Sequence, residues 1–277
     1  MVERICEPTA SIRVVLFGGG PVMERDVKRF ICLLESNPEI TFLGAFCQSQ
    51  AQSFWAVTGD LWRRRRLLAL PLLLVQTISS ALRWLSQPRV ESALNREITR
   101  LSDRIHYVPD IHAEEVLERV QALSPDLGLI YGSPILKPAL FEIPKRGTLG
   151  IHHGKVPEYR GKKTTFWAMY NGEATAGVTI QKINAGLDSG QIVKEGEVSI
   201  GRRSLRAVWK ELETLGLELY IQAILEVKAG TATYRPQVGK KRKLYRDPKL
   251  RDILTFWQRQ LVRHLGRVQP DRAEPRS

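Results

Sequence analysis

The order of apolar and polar residues along the chain predicts alternating strands and helices. Short apolar runs rich in β-branched residues, typical of buried strands, are followed by stretches with apolar residues at helical spacing. The predicted strands are residues 11–17, 40–47, 105–108, 126–130, 147–151, 178–183 and 191–199, and the predicted helices are residues 24–35, 111–123, 164–172 and 203–228. This alternation predicts an α/β domain over residues 10–230 with a central, mostly parallel sheet.

The local sequence explains one helix start and one turn. Asp110 is predicted to cap the helix that follows it, because a side-chain oxygen at this position can accept a backbone N–H of the first turn. Gly18, Gly19 and Gly20 follow the first strand, but a dinucleotide-binding fingerprint would need a glycine where the chain has Met23. We therefore expect a plain strand-to-helix turn there.

Residues 51–95 interrupt the α/β pattern. Four consecutive arginines precede sixteen uncharged residues, from Leu67 to Leu82, with Pro71 among them. A membrane-spanning helix needs about 20 mostly apolar residues, so this stretch is short. An interfacial helix with Trp62 and Trp84 near its ends, or an inserted helical hairpin packed on protein, fits better than a span.

Residues 231–277 are predicted to form a basic helical tail after the core. Within it, apolar residues recur at helical spacing between many lysines and arginines, which is typical of a basic amphipathic helix. These apolar residues are Leu250, Ile253, Leu254, Trp257, Leu261 and Leu265.

The net charge of +13 is concentrated in two segments. Residues 59–90 hold six arginines against one aspartate, and residues 239–277 hold twelve lysines and arginines against four acids. The rest of the chain is close to neutral, so we expect no nucleic-acid partner for the core. Contact with a membrane surface through residues 61–89 and the tail, and a homodimer, are the partner hypotheses.

Three scattered cysteines, Cys6, Cys32 and Cys47, lack the spacing of a metal site, and their odd number argues against a disulfide framework. The first residues carry no apolar run typical of a signal peptide. We expect a cytoplasmic protein, peripheral at the inner membrane face if it contacts a membrane.

The most informative stretch is residues 147–190, because its polar residues lie where core packing would not place them. His152 and His153 follow a predicted strand, and Asp188 lies in a glycine-flanked loop. A histidine at a strand end with an aspartate from a later loop is a common arrangement for a general base and the group that orients it. The alternative is a surface histidine and a turn aspartate.

These residues carry a resemblance. The sequences IHHGKVPEYRG, FWAMYNGE and GVTIQKINAGLDSG resemble, in order and separation, the folate-dependent formyltransferase family. This family includes the methionyl-tRNA, glycinamide-ribonucleotide and amino-sugar formyltransferases and formyltetrahydrofolate hydrolase. The resemblance is close over residues 120–200 and looser from the first strand onward, and it implies a Rossmann-like core.

The resemblance implies roles for individual residues. Aligning Pro157 and Tyr159 with the family's Pro-x-Tyr-Arg-Gly turn places His152 on the catalytic histidine and Gly150 on the catalytic asparagine. Asp188 would then polarise His152 or hold a proton-relaying water. Because Gly150 lacks the amide donor, and one such donor is worth about a hundred- to a thousand-fold in rate, three replacements are open: His153, Lys163 or a water. We favour His153.

Other roles also follow from the resemblance. Tyr131, Gly132 and Ile135 are implied to line the pocket of the co-substrate, 10-formyltetrahydrofolate, with the loop residue Leu187 before Asp188. Lys163 and Arg160 are candidate substrate contacts, although Arg160 could instead be structural. No metal is implied, because the two histidines lack a third ligand at suitable spacing.

The predicted activity is formyl transfer from 10-formyltetrahydrofolate to a primary amine, in an amino sugar or its nucleotide- or lipid-linked form. The family's tRNA enzymes carry about a hundred further residues after the core, whereas residues 231–277 are fewer than fifty. A tRNA acceptor is therefore not expected. The alternatives are a formyltetrahydrofolate hydrolase and a catalytically degenerate relative that binds folate or a partner. Gly150 motivates the last of these.

Overall fold

The computed structural model describes residues 11–19, 25–49, 88–239 and 244–264 of the 277-residue chain. In these residues seven strands form one sheet in the order β3-β2-β1-β4-β5-β6-β7. The strands are β1 (Ile12–Gly19), β2 (Ile40–Gln48), β3 (Ile105–Val108), β4 (Leu127–Tyr131), β5 (Thr148–His152), β6 (Thr175–Lys182) and β7 (Ile192–Ser199). The predicted strands are all present, within three residues at each end.

Helices cover both faces of the sheet. The described helices are α1 (Arg25–Ser36), α2 (Pro88–Arg100), α3 (Glu114–Leu123), α4 (Pro138–Phe141), α5 (Thr164–Tyr170), α6 (Leu205–Ala229) and α7 (Leu250–His264). The sheet is parallel from β3 to β5, whereas β6 and β7 are antiparallel to their neighbours. The predicted α/β architecture with a mostly parallel sheet is confirmed.

The apolar sequence of β1 follows from burial on two sides. Val14 and Leu16 are fully buried in a cluster with residues of α1 and α6, whereas Val15 and Phe17 are fully buried in a cluster with residues of α3 and α4. A parallel strand covered by helices on both faces is apolar at every position, because successive side chains point to opposite faces. This arrangement places β1 in the middle of the core.

The order of the strands determines where a ligand can bind. From β1 the chain adds strands on one side through β2 and β3, and then crosses to the other side of β1 to form β4 and β5. In open parallel sheets, ligands bind outside the carboxyl ends of the strands at such a reversal. The carboxyl ends of β1 and β4 are therefore the place where a pocket is expected.

One predicted cap is wrong. The N-cap of α3 is Ala113, whose side chain makes no capping bond, and the helix begins at Glu114. Asp110 instead accepts a hydrogen bond from the His112 N–H at 2.9 Å through its carboxylate oxygen. This two-residue contact is a turn that Asp side chains commonly form, and it competes with capping.

The chain beyond residue 230 contributes to the core, whereas the sequence pattern predicts that the core ends near that residue. Phe256 of α7 is 2% exposed and belongs to a buried cluster with Phe166 of α5 and Val208 of α6. The other side of α7 exposes Leu250, Leu254, Trp257 and Leu261. Contact of this surface with a membrane or a second copy of the chain stays a prediction.

Replacing Phe256 by alanine is expected to destabilise the domain by about 3–5 kcal/mol, the usual cost of removing a buried phenylalanine side chain. The control is Trp257→Ala, since Trp257 is the next residue and is 64% exposed. Urea unfolding measures both free energies. Equal losses in the two variants would contradict the packing of α7 on α5.

Most of the predicted insertion, residues 51–87, lies outside the described residues, and so do its predicted helices. Its last part forms α2, which packs against α1 through a hydrogen bond from Lys28 Nζ to Asn95 Oδ1 at 2.8 Å. Among the helices that the structure describes, none combines the length and apolarity that crossing a bilayer requires.

Candidate active site

His152 is the last residue of β5 and its side chain is buried, with 9% of the residue exposed. Its Nε2 atom lies 2.7 Å from the Tyr159 carbonyl oxygen. Because a carbonyl only accepts hydrogen bonds, Nε2 carries a hydrogen. In the neutral ring Nδ1 is then the basic nitrogen, so the fold selects the atom that can accept a proton.

Asp188 faces that nitrogen from the loop between β6 and β7. Its Oδ1 atom is 3.6 Å from His152 Nδ1, and its Oδ2 atom accepts the Gly161 N–H at 2.8 Å. The residue has a φ of 45°, in the left-handed region that aspartate tolerates better than most residues. The structure thus brings together the two residues that the sequence singles out, placing a carboxylate beside the basic nitrogen of a buried imidazole.

The Pro157–Gly161 turn holds this loop in place. The Arg160 guanidinium donates to the Leu187 carbonyl at 2.5 and 3.2 Å, and the Gly161 N–H binds the Asp188 carboxylate. Arg160 therefore stabilises the position of the Asp188 loop. Lys163, also predicted as a substrate contact, is exposed at the start of α5 with a φ of 54°.

Gly150 lies on the same face of β5 as His152, two residues earlier. A Cβ atom built on Gly150 would lie 2.7 Å from Ile183 Cδ1, closer than real Cβ atoms approach. Ile183 therefore occupies the space in which an asparagine side chain would begin. The sequence shows the glycine, but only the fold shows what replaces the side chain.

His153 follows the last residue of β5, and its side chain is directed toward α6. Its Nε2 atom is 2.8 Å from Glu213 Oε2, and its ring lies 4.5 Å from the Trp209 ring. The Tyr131 hydroxyl donates to the other oxygen of Glu213. This placement gives no support to His153 as the replacement for the asparagine amide.

Glu213 is a buried carboxyl group that the sequence analysis missed. It is 2% exposed on α6, among the buried positions Leu212 and Leu217. The available signal is a charged residue inside the apolar stripe of a helix, since glutamate is almost never fully buried unless it is paired. Glu213 therefore contacts both Tyr131, the last residue of β4, and His153, the residue after β5.

Burial lowers the pKa of His153 from 6.5 to about 3, and the charge that His152 can carry contributes in the same direction. The native state therefore keeps His153 neutral at pH values where the unfolded chain protonates it. Between about pH 6.5 and pH 3, the unfolded state binds one proton more at this residue. The contribution of His153 to stability is complete above pH 6.5 and falls as the pH decreases through this window.

A His153→Gln variant is expected to remove this dependence. Each pH unit in the window corresponds to about 1.4 kcal/mol, so the free energy of unfolding of the native sequence should fall relative to the variant by about 2 kcal/mol between pH 6.5 and pH 5. Urea unfolding of both proteins at the two pH values measures the difference. A difference independent of pH would contradict a lowered pKa of His153 in the folded protein.

The predicted pocket wall lies at the strand reversal. The Tyr131 side chain is directed into the core, with its ring 5.6 Å from that of Phe30, whereas Ile135 is 73% exposed. Gly132 has a φ of +62°, and a Cβ atom there would meet no atom of the described residues within 4 Å. A Cβ atom on Gly19, at the end of β1, would lie 2.8 Å from the Gly132 carbonyl. The loop after β4 thus adjoins the end of β1.

Comparison with known proteins gives a family match. Residues 76–224, more than half of the chain, match the family model described as Formyl transferase. A methionyl-tRNA formyltransferase from Thermodesulfovibrio yellowstonii is 34% identical over 129 residues, 46% of this chain and 42% of that enzyme. One from Chloroflexus aggregans is 32% identical over 164 residues, 55% of this chain and 53% of the enzyme. The chain thus spans about half, or less, of the length of these relatives.

Solved structures are similar in fold. A sugar N-formyltransferase from Shewanella has a TM-score of 0.55 at 14% identity, covering 88% of this chain and 86% of that one. HypX from Aquifex aeolicus has a TM-score of 0.55 at 14% identity, covering 94% of this chain and 37% of that one. The phosphoribosylglycinamide formyltransferase from Streptococcus pneumoniae has a TM-score of 0.51 at 16% identity, covering 78% of this chain and 98% of that one. At these identities the likeness shows the shared fold alone.

Proposed function

Because the chain belongs to the formyl transferase family, we propose that it transfers the formyl group of 10-formyltetrahydrofolate to a primary amine of a small acceptor. The observation that carries this proposal is the pairing of His152 Nδ1 with Asp188 Oδ1 at 3.6 Å, on residues that match the family's motif. When bound, the folate supplies a formyl carbon that an amine can attack. Gly132 lies at the strand reversal, where open parallel sheets bind ligands, which supports this end of the sheet as the folate site.

His152 has the central role in the proposed mechanism. Its Nδ1 atom accepts the proton that the attacking amine must lose, while Nε2 stays bonded to the Tyr159 carbonyl. The Asp188 carboxylate stabilises the positive charge that then forms on the ring, because opposite charges attract strongly in a partly buried site. The protonated Nδ1 then supplies the proton that the leaving folate nitrogen needs.

An amino sugar, free or linked to a nucleotide or lipid, is the proposed acceptor. The similarity in fold to the Shewanella enzyme, which is described as a sugar N-formyltransferase, extends over most of both chains. The near neutrality of the chain outside its two basic segments also favours a small acceptor over a polyanionic tRNA. The two relatives from Thermodesulfovibrio yellowstonii and Chloroflexus aggregans are methionyl-tRNA formyltransferases, so methionyl-tRNA is the competing acceptor to test.

The acceptor is tested by measuring tetrahydrofolate formation from 10-formyltetrahydrofolate with a panel of amino-sugar nucleotides, with methionyl-tRNA and with no amine. We expect formation that depends on an amino sugar. Formation that depends only on methionyl-tRNA would overturn the acceptor proposal. Formate release without any amine would identify a hydrolase, and folate binding without turnover would identify a degenerate relative.

A further inference from the structure

The segment after α6 passes beside the Asp188 loop. Arg235 exchanges two backbone hydrogen bonds with Ile192, the first residue of β7, at 2.9 and 2.8 Å. Gln237 follows two residues later, and its side chain reaches the loop that precedes β7. This segment lies outside residues 76–224, the part of the chain that matches the family.

The amide nitrogen of Gln237 contacts the main chain on both sides of Ser189. Nε2 lies 3.0 Å from the Asp188 carbonyl oxygen and 2.9 Å from the Gly190 carbonyl oxygen. It is also 3.3 Å from Gln181 Oε1, on β6. The carbonyl oxygens can only accept, so these contacts fix the amide group with its nitrogen toward the loop.

Asp188 has a left-handed backbone conformation, which aspartate tolerates but which is still less favourable than the right-handed one. A non-glycine residue at a φ of 45° persists only where its surroundings hold it. Gly161 binds the carboxylate and Arg160 binds the preceding carbonyl, both from the Pro157–Gly161 turn. Gln237 binds the carbonyl oxygen of Asp188 itself, from a different segment.

We infer that Gln237 is a positioning residue that holds Asp188 against His152, an inference that rests on the proposed function. A displacement of about 1 Å in a catalytic group can cost about 10²-fold in rate. Loss of the Gln237 contacts should therefore lower kcat by about 10- to 100-fold. The KM for the formyl donor should stay within about twofold, because Gln237 binds the loop and not the donor.

The test uses Gln237→Leu and Gln237→Glu in the full chain. Leucine removes the donor, and glutamate keeps the shape but turns negative oxygens toward the two carbonyls. Val238→Ala is the control, since Val238 is the next residue and is 84% exposed. Urea unfolding checks that each variant is folded. If the leucine variant does not fold, the test rests on the glutamate variant.

Two readouts are measured, kcat with KM and the hydrogen exchange of the Gly161 amide, which donates to Asp188. We expect kcat to fall in both Gln237 variants, and the Gly161 amide to exchange at least tenfold faster, with neither change in Val238→Ala. Native kcat and native exchange in the Gln237 variants would overturn the inference. If the native chain shows no formyl transfer, the proposed function fails while the exchange rates still decide whether Gln237 positions Asp188.

Discussion

Replacing Asp188 by asparagine is expected to lower kcat by about 10²- to 10⁴-fold, the range that a positioned acid–base group contributes. The asparagine amide oxygen can still accept the Gly161 N–H, which Asp188 now binds at 2.8 Å, so the loop should keep its place. What disappears is the negative charge 3.6 Å from His152 Nδ1. The imidazolium then forms in the reaction without a counter-charge.

The measurement is steady-state tetrahydrofolate formation, with KM for the donor determined separately. We expect kcat to fall while KM changes little, because the lost interaction develops only as the proton moves. Ser189→Ala is the control, since Ser189 contacts Asn184 and not His152. A native kcat in the asparagine variant would contradict the assignment of Asp188.

The second large effect is expected from introducing an asparagine at position 150. Gly150→Asn alone should cost about 1–3 kcal/mol of stability, because its Cβ atom would lie 2.7 Å from Ile183 Cδ1. Ile183→Val removes that methyl group. Combined with Gly150→Asn it should recover most of the stability, and it should raise kcat by up to about 10²-fold if the amide reaches the formyl oxygen.

Urea unfolding and kcat are measured for the two single variants and the double variant. Ile183→Val alone should lose about 0.5–1.5 kcal/mol and keep its native kcat. The informative quantity is the coupling between the two positions, since contacting residues are not additive. Additive losses of stability would contradict the contact between Gly150 and Ile183, and a lower kcat in the stable double variant would contradict a formyl oxygen beside position 150.

The sequence predicts the strands well because buried parallel strands are apolar on both faces. Val14, Val15, Leu16 and Phe17 form one such run, and each is fully buried. The pairing of His152 with Asp188 could also be predicted, through the motif in which they lie. Their side chains meet because the loop before β7 lies along the face of β5 that carries Gly150 and His152.

Other features depend on contacts between distant parts of the chain. His153, which follows β5, contacts Glu213, and Glu213 lies sixty residues later on a helix whose rotation the sequence does not determine. Ile183 fills the space beside Gly150 because the residues after β6 pack against β5, a contact that the sequence does not show. Phe256 is buried against α5, although its charged surroundings in sequence resemble an exposed tail.

In the proposed reaction, His152 transfers the protons that movement of a formyl group from folate to an amine requires. The most direct measurement follows a ¹³C-labelled formyl group from 10-formyltetrahydrofolate into products, detected by mass spectrometry, for the native chain and for His152→Gln. We predict labelled formamide on an amino sugar with the native chain, and its formation at least 10²-fold slower with the variant. Label that stays on the folate, or that reaches the amine equally fast in both proteins, would contradict this account.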